Sequence, residues 1–363
     1  MRHVAEPRLP RLFAVFLMLA IVLLSIVVLG HQADPQGRPR RVTPDPSKTV
    51  PPKETTQPKS APQTPPAKPP QKPSTPVVEE ASEAIRISSN LVSVPVSVTD
   101  AAGQPVKSLT LPQFHLDEEG QKQTIVLLGE PGKTPVDLVL LFDVSGSVLE
   151  RFQFEQQAAA RFLRAVARPD DLMSVFSIAL TPKLIVPRTR DLERAVAGTM
   201  SLAPTKEATA FFDAIGTAAQ YLGKNASPGA RRVLVVISDG EDNQSERFRL
   251  EEALRELQRN DCLYYSINPS GPSIRLNKIS QKGQDSMIAL AAETGGVAFL
   301  PERLEDLDKI FRQIAGELQA QYILGYYSTN EATDGKFRRI TARVDGRPEL
   351  RVRARQGYYA PRE

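Results

Sequence analysis

The sequence predicts an α/β fold: a doubly wound, mostly parallel sheet with a small flanking β-module. Three observations predict it. From residue 136 onward, short apolar runs alternate with helical stretches. Those runs are apolar at consecutive positions, as strands covered on both faces require. Before and after this region the pattern is instead that of antiparallel strands and hairpin turns, so the two halves of a second module flank the first.

The elements follow in order. In 92–98, Val92, Val94, Val96 and Val98 alternate with polar residues and Pro95, so one face is buried. Pro95 lies on the other face and suggests an edge strand. The runs 114–116 and 124–128 flank Asp117-Glu118-Glu119-Gly120, a hairpin signal whose acidic triplet reads as a solvated turn rather than a metal site. Strands are then expected at 136–142, 172–178, 233–237, 263–267 and 297–300. Helices are expected near 149–168, 191–201, 209–223, 247–259, 285–294 and 304–320. Strand patterns return at 322–327, 337–344 and 350–355, with turn signals at Asp334-Gly335 and Asp345-Gly346. A few strands in isolation are marginal. The β-rich segment 85–130 and the C-terminal segment 325–363 are therefore expected to pack together beside a domain spanning 134–324.

The first 80 residues are of a different kind. Residues 12–30 form an uninterrupted apolar run after three arginines. As a helix it would be roughly 28 Å long, about a bilayer core. Within 1–33, an uncleaved anchor and a cleaved signal peptide both fit, and both put everything after residue 31 outside the cytoplasm. Of the 31 prolines, fourteen fall in 34–78. The segment 34–80 is thus expected to be an extended Pro-rich stalk reaching about 140 Å, with a Pro-rich ligand for another module as the alternative.

Charge divides along the same line. The formal net charge of +4 is the sum of +2 in 1–33, +5 in 34–78 and −3 in the remainder. The folded part is mildly acidic and has no electrostatic footprint for nucleic acid. Cys262 is the single cysteine, so no intrachain disulfide is possible; its apolar surroundings mark it as an inert core thiol.

The chemistry concentrates at strand ends. The first buried strand ends in Asp143-Val-Ser145-Gly-Ser147, and a later one ends in Ser238-Asp239-Gly240; between them Thr209 stands just before a helix. In an open parallel sheet, ligands bind at the carboxyl ends of strands where strand order reverses. Strand order 3-2-1-4-5-6 would make the Asp143 and Asp239 strands neighbours at that reversal.

This Asp-x-Ser-x-Ser run, the downstream threonine and the Ser-Asp-Gly turn resemble the metal-ion-dependent adhesion site of von Willebrand factor type A domains, over about residues 134–324. The resemblance implies a Rossmann-like fold and a ligating set of Asp143, Ser145, Ser147, Thr209 and Asp239. Such hard oxygen ligands suit Mg²⁺, with Mn²⁺ or Ca²⁺ as substitutes. It also implies a protein partner that offers an Asp or Glu carboxylate to the metal. The chain from 85 to 360 further resembles a family of exported bacterial proteins related to this domain and described from acidobacteria. That likeness rests on Leu91–Asp100, Leu324-Gly-Tyr-Tyr327 and Gly357-Tyr-Tyr-Ala360; the tyrosines read as strand packing.

One departure stands before the threonine, where the adhesion-site family usually has small residues and this chain has Glu207-Ala208. Glu207 tightens the metal, repels an acidic partner or points to solvent, the last being favoured. Glu241 and Asp242 are expected in a solvated loop that, with Glu207, would form the rim facing a partner; supporting a second cation is the alternative.

Enzymatic readings fare poorly. A serine hydrolase needs a base, yet His3, His31 and His115 all lie outside the α/β region, and Ser145 lacks the Gly-x-Ser-x-Gly elbow. A haloacid-dehalogenase-type phosphatase needs a second carboxylate where Ser145 stands, and a hydroxyl cannot act as that general acid. The expectation is an exported, metal-dependent binding module and no enzyme. A structural envelope protein with a degenerate metal-free site is the alternative, and a metal-dependent hydrolase comes third.

Overall fold

A computed structural model describes residues 91–146, 151–272 and 277–362. The expected leader (1–33) and Pro-rich stalk (34–80) lie outside these residues, as does Ser147. Among the described residues no helix is long and apolar enough to cross a membrane.

Four strands come first: β1 (Leu91–Thr99), β2 (Phe114–Glu118), β3 (Gln121–Gln123) and β4 (Ile125–Gly129). Glu119 and Gly120 join β2 to β3 with φ of 50° and 77°, the left-handed pair that a two-residue hairpin turn requires. The α/β series follows: β5 (Val136–Asp143), α1 (Phe152–Val166), β6 (Leu172–Ile178), β7 (Lys183–Thr189), α2 (Leu192–Met200), α3 (Phe211–Asn225), β8 (Arg231–Ile237), α4 (Leu250–Arg259), β9 (Cys262–Ile267), α5 (Lys278–Thr294), β10 (Ala298–Phe299) and α6 (Leu307–Ala320). The chain ends in β11 (Tyr322–Tyr327), β12 (Phe337–Val344), β13 (Arg351–Ala354) and β14 (Gly357–Tyr359).

Six strands make the central sheet, in the order β10-β9-β8-β5-β6-β7. All neighbours are parallel except β7, which runs antiparallel to β6. The reason lies in the side chains. Every residue of β5 is buried; Leu138, Leu140 and Phe142 feed a core with α1, α2 and α6, while Val139 and Leu141 feed a core with α3, α4 and α5. At about 1.5–3 kcal/mol per fully buried large apolar side chain, such a strand is stable only when covered on both sides. β7 is an addition to the expected strands. It carries Pro187 and exposed residues, a weak strand signal that fits an edge.

The remaining strands form two four-stranded sheets, β13-β1-β11-β4 and β14-β12-β2-β3, which share one core of Val92, Val94, Val96, Leu116, Leu324 and Ile340. Three expectations need correction here. The first concerns β11, which spans the expected boundary at 324/325 yet pairs entirely with β1 and β4, so the flanking module begins at Tyr322.

The second is β1, which is interior to its sheet rather than an edge. Pro95 is tolerated because β13 pairs with β1 only from Val96 onward. Arg355 donates to Ser93 O at 3.0 Å on the side away from β11. Two residues on, the Pro95 nitrogen faces that same unpaired side, so no ladder bond is lost.

The third is Glu118, which is no part of a solvated turn. It is 2 % exposed and accepts hydrogen bonds from Tyr326 Oη (2.6 Å), Ser328 Oγ (2.6 Å) and Tyr358 Oη (3.1 Å), with Arg338 at 3.5 Å. Tyr326 and Tyr358 thus do more than pack.

The two parts abut without a linker, since only Gln321 separates α6 from β11. Gln321 Nε2 donates to Ser97 Oγ at 3.0 Å and its Oε1 accepts from Arg231 at 3.2 Å. Tyr265 Oη donates to Glu317 at 2.8 Å, and Arg353 pairs with the same carboxylate.

Replacing Glu118 by Leu strands two tyrosine hydroxyls and a buried guanidinium. Unfolding in urea should show a loss of about 3–5 kcal/mol, and an unchanged midpoint would mean that the network contributes nothing.

Candidate metal centre

β5 and β8 are adjacent and in register, Phe142 standing opposite Ile237. The next residues therefore emerge side by side at the carboxyl end of the sheet, where β6 lies to one side of β5 and β8 to the other. Ser238 Oγ donates to Asp143 Oδ2 at 2.5 Å, and Ser145 N donates to Asp143 Oδ1 at 2.9 Å. Asp143, Ser145, Thr209 and Asp239 are all buried, at 1 %, 3 %, 4 % and 6 % exposure.

The loops carrying them are tied to one another. Thr209 N donates to Asn243 Oδ1 at 2.9 Å, and Thr209 O accepts from Asn243 N and Gln244 N, each at 3.1 Å. This fixes Thr209 to the segment that follows Asp239. Asp213 accepts from the backbone of Glu246, Arg247 and Phe248, locking the same segment against α3. Thr205, which sequence reasoning did not single out, donates from its backbone N to Val144 O at 2.6 Å and holds the loop before Thr209 against the Asp143–Ser145 turn. Gly240 has φ of 77°, and a Cβ there would meet Gly283 O of α5 at 2.8 Å. Only glycine serves on both counts.

Burial pushes the Asp143 carboxyl up to about 6, helped by the charge of Asp239 and opposed by the hydrogen bonds from Ser238 and Ser145. A second carboxyl belongs to the same electrostatic unit. Glu155, on the first turn of α1, is pushed up to about 8 by burial, with Arg151 opposing and Asp143 and Asp239 adding to the rise. It lies on the buried stripe of α1 with Phe152, Ala159 and Phe162, and sequence reasoning did not single it out.

The rim expected from sequence is only partly a rim. Glu207 is exposed. Glu241 instead accepts a hydrogen bond from Ser280 Oγ. Asp242 accepts from Phe211 N at 2.8 Å and so caps α3 rather than lying in a solvated loop. Both acids are half-buried in the fold. Among the described residues no three His, Cys, Asp or Glu side chains group as a metal site; the buried polar side chains expected from sequence at this end of the sheet are two aspartates and the hydroxyls of Ser145 and Thr209.

The sequence profile of the von Willebrand factor type A domain matches residues 138–241, from β5 to the turn that bears Asp239. The chain carries a von Willebrand factor type A (VWA) domain. Solved structures similar to it include BatB from Bacteroides thetaiotaomicron, at 19 % identity over 50 % of this chain and 97 % of that one, TM-score 0.39. A von Willebrand factor type A protein from Catenulispora acidiphila matches at 11 % identity over 75 % of each chain, TM-score 0.43. The vWF domain of the type V pili tip protein Mfa5 from Porphyromonas gingivalis matches at 13 % identity over 50 % and 94 %, TM-score 0.41. Among curated proteins none matches the chain.

The charge at the end of this VWA sheet has a consequence for pH. Asp143 titrates near 6 when folded, against an ordinary value of 3.8, so its ionisation opposes folding. That opposition is absent below about pH 4, grows as pH rises through 6 and is complete above it, reaching roughly 3 kcal/mol at most. In EDTA, Asp143→Asn should be about 1–3 kcal/mol more stable than wild type at pH 7.5 and closer to it at pH 4.5. Denaturant unfolding at the two pH values measures this, and parallel curves would remove Asp143 as the source.

Proposed function

We propose that this VWA domain binds one divalent cation through Asp143, Ser145, Ser147, Thr209 and Asp239, and through that cation captures a protein partner. The observation that carries this is the pairing of Asp143 and Asp239 at the buried end of adjacent parallel strands. Burial and the charge of Asp239 together resist ionisation of Asp143, a conflict that a cation between them would relieve. The donor set fits: carboxylate and hydroxyl oxygens are hard ligands suited to Mg²⁺, with Mn²⁺ or Ca²⁺ as substitutes. When bound, such an ion supplies an electron-poor position that takes up an Asp or Glu carboxylate from the partner. Ser145 and Thr209 would ligate without adding charge, and the loops tied by Thr205 and Asn243 would hold them in place.

The setting we infer is extracytoplasmic. Residues 1–33 act as signal peptide or anchor, 34–80 as a spacer, and the strands flanking the VWA domain as its base. The likeness to exported proteins described from acidobacteria supports the same placement. A binding module fits these residues better than an enzyme, because no histidine lies within the α/β region. A metal-free structural role is the second reading, favoured by the two protein hydrogen bonds that Asp143 already accepts.

Calorimetric titration of the protein with Mg²⁺ and Mn²⁺ should show one site, lost in Asp143→Ala. Equal heats for the two proteins would leave the metal-free role. Capture of a partner from envelope extract should then be abolished by EDTA, and a partner retained equally in EDTA would remove the adhesive mechanism.

A further inference from the structure

We propose that Glu155 is a third carboxylate of the cation site, acting on the ion from beyond its direct ligands through a bound water. The inference rests on the metal reading above and extends it to a residue outside the adhesion-site pattern. Its side chain is 1 % exposed, and both of its oxygens lack any hydrogen-bond partner. Among the described residues it is the only carboxylate in that condition. Glu118 and Glu317, equally buried, are filled by tyrosines and arginines.

Protonation does not resolve the problem. An ionised Glu155 lacks donors, and a protonated one has a hydroxyl with no acceptor. Arg151 is a partial answer only. It approaches to 3.6 Å, while its Nη2 is committed to Ser270 Oγ at 2.7 Å. Glu155 stands on the first turn of α1, the helix that follows the Asp143–Ser145 turn. Phe152 of that same turn packs edge-on against Phe142, the residue before Asp143, with ring centroids 5.4 Å apart. The charges of Asp143 and Asp239 act on Glu155 there. A hydrated divalent cation held by those aspartates supplies what is missing: positive charge, and water O–H groups to donate. It turns repulsion among three carboxylates into a shared attraction.

Mn²⁺ titration of the full chain by calorimetry separates the possibilities. Glu155→Gln keeps the shape and removes the charge; it should weaken Mn²⁺ by roughly 10–100-fold. Arg151→Gln removes the competing positive charge and should tighten Mn²⁺ several-fold. Thermal unfolding in EDTA provides a second readout, in which Glu155→Gln should be at least as stable as wild type because, without the ion, Glu155 makes no hydrogen bond that the substitution could break. A wild-type affinity in Glu155→Gln together with a lowered unfolding midpoint would overturn the proposal and leave Glu155 as the structural partner of Arg151. If Glu155→Gln does not fold, Arg151→Gln carries the test, and an unchanged affinity there overturns it. No Mn²⁺ binding by wild type would instead overturn the metal reading itself, and this inference with it.

Discussion

The register between β5 and β8 is the constraint on which the rest of the molecule turns. Because Phe142 stands opposite Ile237, Asp143 and Ser238 meet at the strand ends and Asp239 begins the loop above them. A one-residue slip would send every side chain of β5 to the opposite face, exchanging the two cores and removing Asp143 from Ser238. The consecutive apolar residues of β5 and β8 therefore do two things at once. They hold the sheet together, and they aim polar groups at one edge of it.

The buried carboxylates divide into two kinds. Asp137 pairs with Arg188, Asp171 accepts from Val136 N, Asp213 accepts three backbone amides, and Glu118 and Glu317 are ringed by donors. Each has hydrogen-bond donors or a guanidinium from the protein as partners. Asp143 is only partly stabilised and Glu155 has no hydrogen bond at all. The acids left short, Asp143 and Glu155, stand at the end of β5 and on the first turn of the helix that follows it, the end of an open parallel sheet at which ligands are generally bound.

Much of the α/β architecture was legible because burial on two faces leaves a plain mark: consecutive apolar residues, then a helical period. Val136, Leu172 and Tyr322 open strands where the pattern begins. The strand at Lys183–Thr189 was not legible, since an edge strand with Pro187 needs neither a continuous apolar run nor a clean alternation. Pro95 misled for a related reason. Sequence reveals a missing donor, but not that the neighbouring strand ends one residue short of it. Of the candidate site, the aspartates at strand ends could be read from their position after apolar runs. Glu155 could not, because a carboxylate on a helix stripe looks the same whether it reaches water or is sealed in. The role of Asp242 was hidden too, for it caps a helix that begins some thirty residues earlier in the chain.

The pairing of β1 with β11 bears on how this protein withstands pulling. Leu91 lies opposite Tyr327, and Val96 lies opposite Tyr322, so the two strands begin at opposite ends of their shared ladder. The VWA domain hands over to β11 at Tyr322, and β1 starts at Leu91. Tension drawn between those points runs along the strands and strains the whole ladder in shear, all rungs together, where a zipper would part them one by one. A load taken up at the carboxyl end of the parallel sheet would thereby reach the flanking module along its strands and not across them.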